Sequence, residues 1–200
     1  MEIQTPPPAL LLKVNGEAVP LFTTLLQSGI EVKTAGGQPL GALIGDFPGF
    51  SADYLSQRVQ TIFLDGTAID DLTVPLGRDH QVVALSAAMP GLAGAIFRRN
   101  SFHAALRTAT GGKATPAVST MITVTVKFFN SIALEQGPAL LAGGVVVNRA
   151  TLVSFFAGRP RLDKNIVQAE LGGQKIDPHE LSAVLSGLAK ITLRIIQDDA

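Results

Sequence analysis

The sequence predicts an α+β protein made of two small mixed domains in tandem. Short apolar or alternating segments of strand length are separated by segments with helical spacing, and Asp-Gly and Gly-Gly pairs mark turns. The order also repeats: the segment from Gly29 parallels the one from Gly143, and the segment from Val59 parallels the one from Val167. Duplication is the favoured interpretation, and chance similarity between short strand-turn units is the alternative. Sequential strand, helix, strand and strand is typical of small mixed domains and not of a doubly wound sheet.

The composition excludes several classes of function. Sixteen basic and sixteen acidic residues cancel, so no global field favours nucleic acid or an anionic membrane. The absence of Cys removes disulfides, thiolate metal sites and cysteine nucleophiles. Charged residues make up only 16% of the chain. A surface so poor in charge favours self-association, so a homo-oligomer is one expected state. No signal peptide or membrane span is recognisable, so a soluble, cytoplasmic protein is expected.

The first predicted domain spans residues 1–108. An apolar run predicts a strand over 9–14, Asn15-Gly16 indicates a hairpin turn, and residues 18–22 are its expected partner. Alternation predicts a strand over 30–34, and spacing at i, i+3, i+4 and i+7 predicts a helix from Leu40 to Phe47. The remaining elements are a short helix capped by Ser51, strands over 59–64 and 81–85 with a turn at Asp65-Gly66, and a helical extension over 95–107.

The second predicted domain spans residues 121–200, after a Thr, Ala, Gly and Ser-rich linker over 109–120. The clearest alternating strand of the chain opens it at 121–128. A strand over 144–147 leads to a helix capped by Asn148, and a strand over 166–171 leads to a Gly-Gly turn. Asp177 and the proline after it favour a helix start, and 191–196 closes as a strand.

Four consecutive motifs of the first domain carry a family resemblance: IEVKTAGG, PLGALIGDFPG, VQTIFLDGTAID and DHQVVALSAAMPGLAG. Together they resemble the ubiquitin-like β-grasp proteins of the ThiS/MoaD sulfur-carrier type, over about residues 18–94. The second domain shows only the skeleton. The resemblance implies tandem β-grasp domains with a mixed sheet and short helices.

In that family the function depends on a glycine tail. The resemblance implies that an E1-like adenylyltransferase activates a terminal glycine carboxylate, which becomes a sulfur-donating thiocarboxylate. Here the matching tail ends at Ala93-Gly94 and more than a hundred residues follow it, so no free carboxylate is present. Gly91 and Gly94 are therefore predicted to turn the chain. Gly111 and Gly112 are predicted to give a flexible linker, with proteolytic cleavage to a Gly-Gly end as the alternative.

A locally basic group lies in the helical extension. Arg98, Arg99, His103 and Arg107 could bind an anion, because clustered guanidinium groups suit oxyanions, and a solvated helix face is the alternative. The three histidines are widely spaced, so no metal site is predicted. No nucleophile elbow, phosphate loop or paired carboxylate with a catalytic spacing is present, so no catalytic residue and no cofactor is predicted.

These observations favour a non-catalytic protein–protein interaction or adaptor protein derived from the sulfur-carrier family. Its expected partner is another protein, with an E1-like adenylyltransferase as the candidate that the resemblance implies. One alternative is a sulfur carrier released by cleavage after Gly94 or Gly112. A weaker alternative is an anion or small-ligand binding module that uses the basic group.

Overall fold

A computed structural model describes residues 6–107 and 120–198. Ten strands lie in these two ranges: β1 (Ala9–Val14), β2 (Ile30–Ala35), β3 (Thr61–Leu64), β4 (Thr67–Ala68), β5 (Gln81–Ser86), β6 (Met121–Phe129), β7 (Val145–Asn148), β8 (Ile166–Leu171), β9 (Gln174–Ile176) and β10 (Lys190–Gln197).

The same ranges contain seven α-helices and several 3₁₀ turns. The helices are α1 (Val19–Thr23), α2 (Leu40–Gly45), α3 (Ala52–Gln57), α4 (Gly91–Phe97), α5 (Asn130–Gly143), α6 (Arg149–Ala157) and α7 (Leu181–Val184). The predicted α+β class is confirmed. No helix in the described part of the chain is long and apolar enough to cross a membrane.

The described residues form two compact units. The central unit comprises 31–107 and 120–136, and the terminal unit comprises 6–30 and 137–198. This division differs from the predicted domains 1–108 and 121–200. The physical reason is strand pairing, because β1 pairs with β10 and β8, and β6 pairs with β5.

The central unit has a mixed sheet with the strand order β4-β3-β5-β6-β2. Its middle pair, β5 and β6, is parallel, whereas β3 pairs antiparallel with both β5 and β4. One face is buried, and its residues are Ile62, Leu64, Val83, Leu85, Val124, Val126 and Phe128. Phe47 and Phe50, which follow α2, contact Phe128 on that face with ring centroids 5.4 and 5.7 Å away.

The terminal unit has the strand order β7-β10-β1-β8-β9. Strand β1 lies between β10, to which it is parallel, and β8, to which it is antiparallel. Leu10, Leu12 and Val14 of β1 have no exposed surface. The N-terminal strand therefore completes the core of the C-terminal residues.

Local signals fix several element ends as predicted. The Ser51 hydroxyl and the Asn148 side-chain oxygen each accept a backbone hydrogen bond from the first turn of their helices. Asp65 and Gly66 both have positive φ, 50° and 80°, which is the conformation that a two-residue hairpin turn requires. The predicted strands at 9–14, 30–34, 121–128 and 191–196 are confirmed to within about two residues.

The predicted hairpin partner at 18–22 is wrong, because residues 16–27 form 3₁₀ and α-helical turns around α1. Pro20 lies in the first turn of α1, where its missing N–H removes no helical hydrogen bond. Phe22, Leu25 and Leu26 then fall at i, i+3 and i+4 and are fully buried. Helical burial of these three side chains decides the conformation.

The extension over 95–107 is not one helix. Helix α4 begins at Gly91, and Arg98 is extended with φ −60° and ψ 131°. A separate 3₁₀ turn covers Phe102–Leu106. Helix α5 was not predicted, because Gly137 and an internal Pro138 interrupt its helical pattern.

The two halves of the chain follow a similar element order: strand, helix, strand, helix, two hairpin strands and a last strand, with α3 added in the first half and α7 in the second. The first half runs from β1 to β5 and the second from β6 to β10. The first strands are exchanged, because β1 pairs with strands of the second half and β6 with a strand of the first.

Candidate functional site

The segment that resembles a carrier tail is folded into α4. Pro90 precedes the helix in extended conformation, and Gly91 enters it with φ 71°. Phe97 at its end contacts Phe63 of β3, with ring centroids 5.4 Å apart. Gly94 is buried, and a Cβ there would lie 1.8 Å from the Met89 carbonyl oxygen. Gly94 is thus required for close approach of two backbone segments.

We expect Gly94→Ala to destabilise the protein by about 2 kcal/mol, because the added methyl group must displace the Met89 backbone. The matched control is Gly45→Ala, also in a helix, where no atom lies within 4 Å of the added Cβ. It should be neutral or stabilising by up to about 1 kcal/mol. Chemical denaturation measures both, and equal effects would contradict the tight packing of α4.

The other predicted tail glycines, Gly111 and Gly112, lie outside the described residues. The prediction that they form a flexible linker, with cleavage as the alternative, stays a prediction.

Two arginines of the basic group bind neighbouring groups of the protein itself. Arg99 donates from Nη1 to the carbonyl oxygens of Leu55 and Val59, at 3.2 and 3.3 Å, and burial lowers its pKa despite the nearby Asp70. Arg107 forms an ion pair with Asp70 at 2.8 Å and donates to two backbone carbonyls of the α4 segment. Arg99 thereby ties the extension to the end of α3 and the residues before β3, and Arg107 ties it to Asp70 after β4.

Arg98 and His103 differ from these two. Arg98 is exposed, and its Nε donates to the Gln60 side-chain oxygen. Its Nη atoms donate no hydrogen bond among the described residues. His103 is exposed and stacks edge-on against Phe102, which is 94% exposed. The structure therefore separates the four predicted anion ligands and leaves Arg98 as the guanidinium available to a ligand.

Gln60 organises this region, although no pattern in the sequence marks it. Its Nε2 donates to the Gln57 carbonyl at 2.9 Å, and its own carbonyl accepts from the Arg99 amide at 2.7 Å. Together with the bond from Arg98, these contacts fix the Gln60 side chain. Gln60 thereby positions Arg98 at the start of β3.

A second charged cluster lies in the central unit. The Glu135 carboxylate accepts from the Tyr54 hydroxyl at 2.8 Å and forms an ion pair with Arg58. Burial and the bond to Glu135 raise the pKa of Tyr54 to about 12, and the bond from Arg58 lowers the pKa of Glu135. Because Arg58 is paired, the cluster adds little net charge.

The face of the β5–β6 pair opposite the core is partly open. Because paired residues on neighbouring strands share a face, the pairing of Val82 with Thr125 and of Ala84 with Lys127 defines it. We call Val82, Ala84, Thr123, Thr125 and Lys127 the open sheet face, and all five are half-buried. Four of its five side chains are small and uncharged, and Lys127 adds one cation.

The described residues contain no group of three or more His, Asp and Glu side chains that could hold a metal ion. Comparison of the chain with protein-family models, curated proteins and solved structures finds no match to any of the three.

Proposed function

We propose that the protein is a non-catalytic interaction or adaptor protein built on two β-grasp-like units. The central unit supports this, because its parallel pair β5–β6 lies beside the antiparallel β3 and short helices follow β2, which fits the mixed sheet with short helices that the resemblance implies. The terminal unit repeats the arrangement with a parallel middle pair of β1 and β10.

The observation that carries the proposal is that the open sheet face is partly exposed, whereas the tail-like segment is folded into α4. Helix α4 holds the tail-like segment against β3 through Phe97 and the buried Gly94. Recognition then falls to the sheet, where Val82 and Ala84 provide apolar surface and Lys127 a charge. The partner is a protein surface with an apolar centre and a carboxylate that faces Lys127, since interface centres are poor in charge and their rims are polar.

The test substitutes Val82→Arg, which places a bulky cation beside Lys127 without filling the core. The partner is first identified by crosslinking the full chain in its own cells, then purified for calorimetric titration. We expect at least a tenfold loss of affinity with an unchanged unfolding midpoint. The control is Val146→Arg on β7, which is also a half-buried strand valine but lies in the terminal unit.

Two outcomes would overturn the proposal. One is equal loss for Val82→Arg and Val146→Arg, or no loss for either. The other is an intact mass in those cells that ends at Gly94 or Gly112. The latter outcome would establish the processed carrier, especially with the mass increase of sulfur in place of oxygen.

A further inference from the structure

A cavity of about 240 Å³ lies between α4 and the start of β3. Its walls include apolar side chains and backbone from Ala88, Met89, Gly91, Gly94 and Ala95, together with Gln60, Thr61 and Arg98. Apolar walls with a few convergent polar groups are characteristic of small-molecule sites. The volume is below the range typical of drug-sized ligands, so a ligand here is small.

Thr61 provides the observation that points to a ligand. Its side chain is 1% exposed, and its hydroxyl has no hydrogen-bond partner among the described residues. Alternation along β3 places it on the same face as Phe63, which contacts α4 through Phe97. The hydroxyl therefore lies on the cavity side. Buried side-chain polar atoms are nearly always hydrogen-bonded, so a polar group in the cavity would satisfy it.

Arg98 provides a charge at the same cavity. Its Nε is held by the Gln60 side chain, and its Nη atoms are left to donate outward. A guanidinium fixed in this way favours a planar oxyanion, which accepts two parallel hydrogen bonds. The pairing of Arg107 with Asp70 and the bonding of Arg99 to backbone carbonyls leave Arg98 without a competing carboxylate in this group.

A second cavity adjoins the first. A neighbouring cavity of about 370 Å³ shares Gln60, Ala88 and Arg98 and reaches Asn130 and Ser131 at the start of α5. The backbone N–H groups at the start of a helix attract negative charge. The carboxylate end of a ligand would thus meet positive potential from two directions, while its apolar part lies against α4.

We propose that this cavity binds a small carboxylic acid, with Arg98 holding the carboxylate and the Thr61 hydroxyl bonding a second polar atom or the same group. The site uses none of the residues of the open sheet face, although both lie on one face of the sheet, because Phe63 beside the cavity pairs with Ala84. Of the four anion ligands predicted from the sequence, this site uses only Arg98, together with the Thr61 hydroxyl.

The experiment titrates the full chain with butyrate and benzoate, and with butyramide and benzamide as neutral controls of the same shape, and follows backbone amide resonances. We expect butyrate and benzoate to shift the backbone amide resonances of Thr61, Gly91 and Gly94. They should bind at least tenfold more tightly than butyramide and benzamide. Arg98→Gln should remove that difference. Arg161→Gln, an exposed arginine outside the cavity, should leave it intact.

Thr61→Val tests the role of the Thr61 hydroxyl in a variant that we expect to fold. Valine has nearly the same shape, and it removes a hydroxyl that has no partner in the described residues. We expect the unfolding midpoint to be unchanged or higher, while the affinity for the carboxylate falls about fivefold. Equal affinity for carboxylate and amide, resonance shifts outside the cavity, or unchanged affinity in both variants would overturn the proposal.

Discussion

We expect the fragment 121–200 to be unfolded in isolation. The fragment lacks β1, which lies between β10 and β8 and buries Leu10, Leu12 and Val14 completely. Without β1, two strands lose a partner and the core of the terminal unit is exposed to water. The fragment should show neither a cooperative thermal transition nor dispersed amide resonances.

The same dependence can be tested in the full chain with a point substitution. Leu12→Ala should lower the free energy of unfolding by about 2–5 kcal/mol, as expected for a fully buried leucine. Lys13→Ala changes the neighbouring, half-buried position and should cost less than about 0.5 kcal/mol.

A peptide of residues 6–18, which contains β1, should restore folding of the fragment 121–200 when added in excess. A cooperative transition of the fragment alone would contradict this account of β1.

The strands were predictable where local sequence alone decides the structure. Alternation in β6 and the Asp65-Gly66 turn specify one conformation whatever the neighbouring strand is. The order of the strands is a different matter. An apolar run such as that of β1 indicates burial, but nothing in it specifies that β10 and β8, near the other end of the chain, are its neighbours.

Prolines obscured two helices. Pro20 lies four residues after Gly16 of the Asn-Gly pair, a position that also fits an edge strand. Only the burial of Phe22 with Leu25 and Leu26 distinguishes the helix. Pro138 lies inside α5, where proline usually ends a helix. The exchange of first strands could not be predicted once these two connections were missed.

The candidate site was predictable only as a region. Arg98 and Arg99 are adjacent in sequence, and only the break after α4 directs one to backbone carbonyls and leaves the other exposed. Thr61 belongs to a run of β-branched and aromatic residues and fits any strand. Its unpartnered hydroxyl follows from the packing of α4 over β3, a tertiary feature.

Phe128→Ala should be the most destabilising single substitution in the central unit, with a loss of about 3–5 kcal/mol. Phe128 is fully buried, and its ring meets Phe47 at 84° and Phe50 at 54°. The first contact is edge-to-face and the second is tilted, and aromatic pairs add stability beyond the buried area. The substitution therefore removes both the buried surface and the centre of an aromatic cluster.

The value of this variant is that Phe128 lies on β6, in the second half of the chain, whereas Phe47 and Phe50 lie in the first half. If β6 belonged to an independent C-terminal domain, the loss would leave the residues around Phe47 unchanged. We expect instead that hydrogen exchange accelerates in β5 and α2 together with β6, because these elements form one compact unit. Phe102→Ala, at a side chain that is 94% exposed, controls for the removal of an aromatic ring and should change stability by less than about 0.5 kcal/mol. Faster hydrogen exchange confined to β6 would show that β6 does not support the core of the central unit.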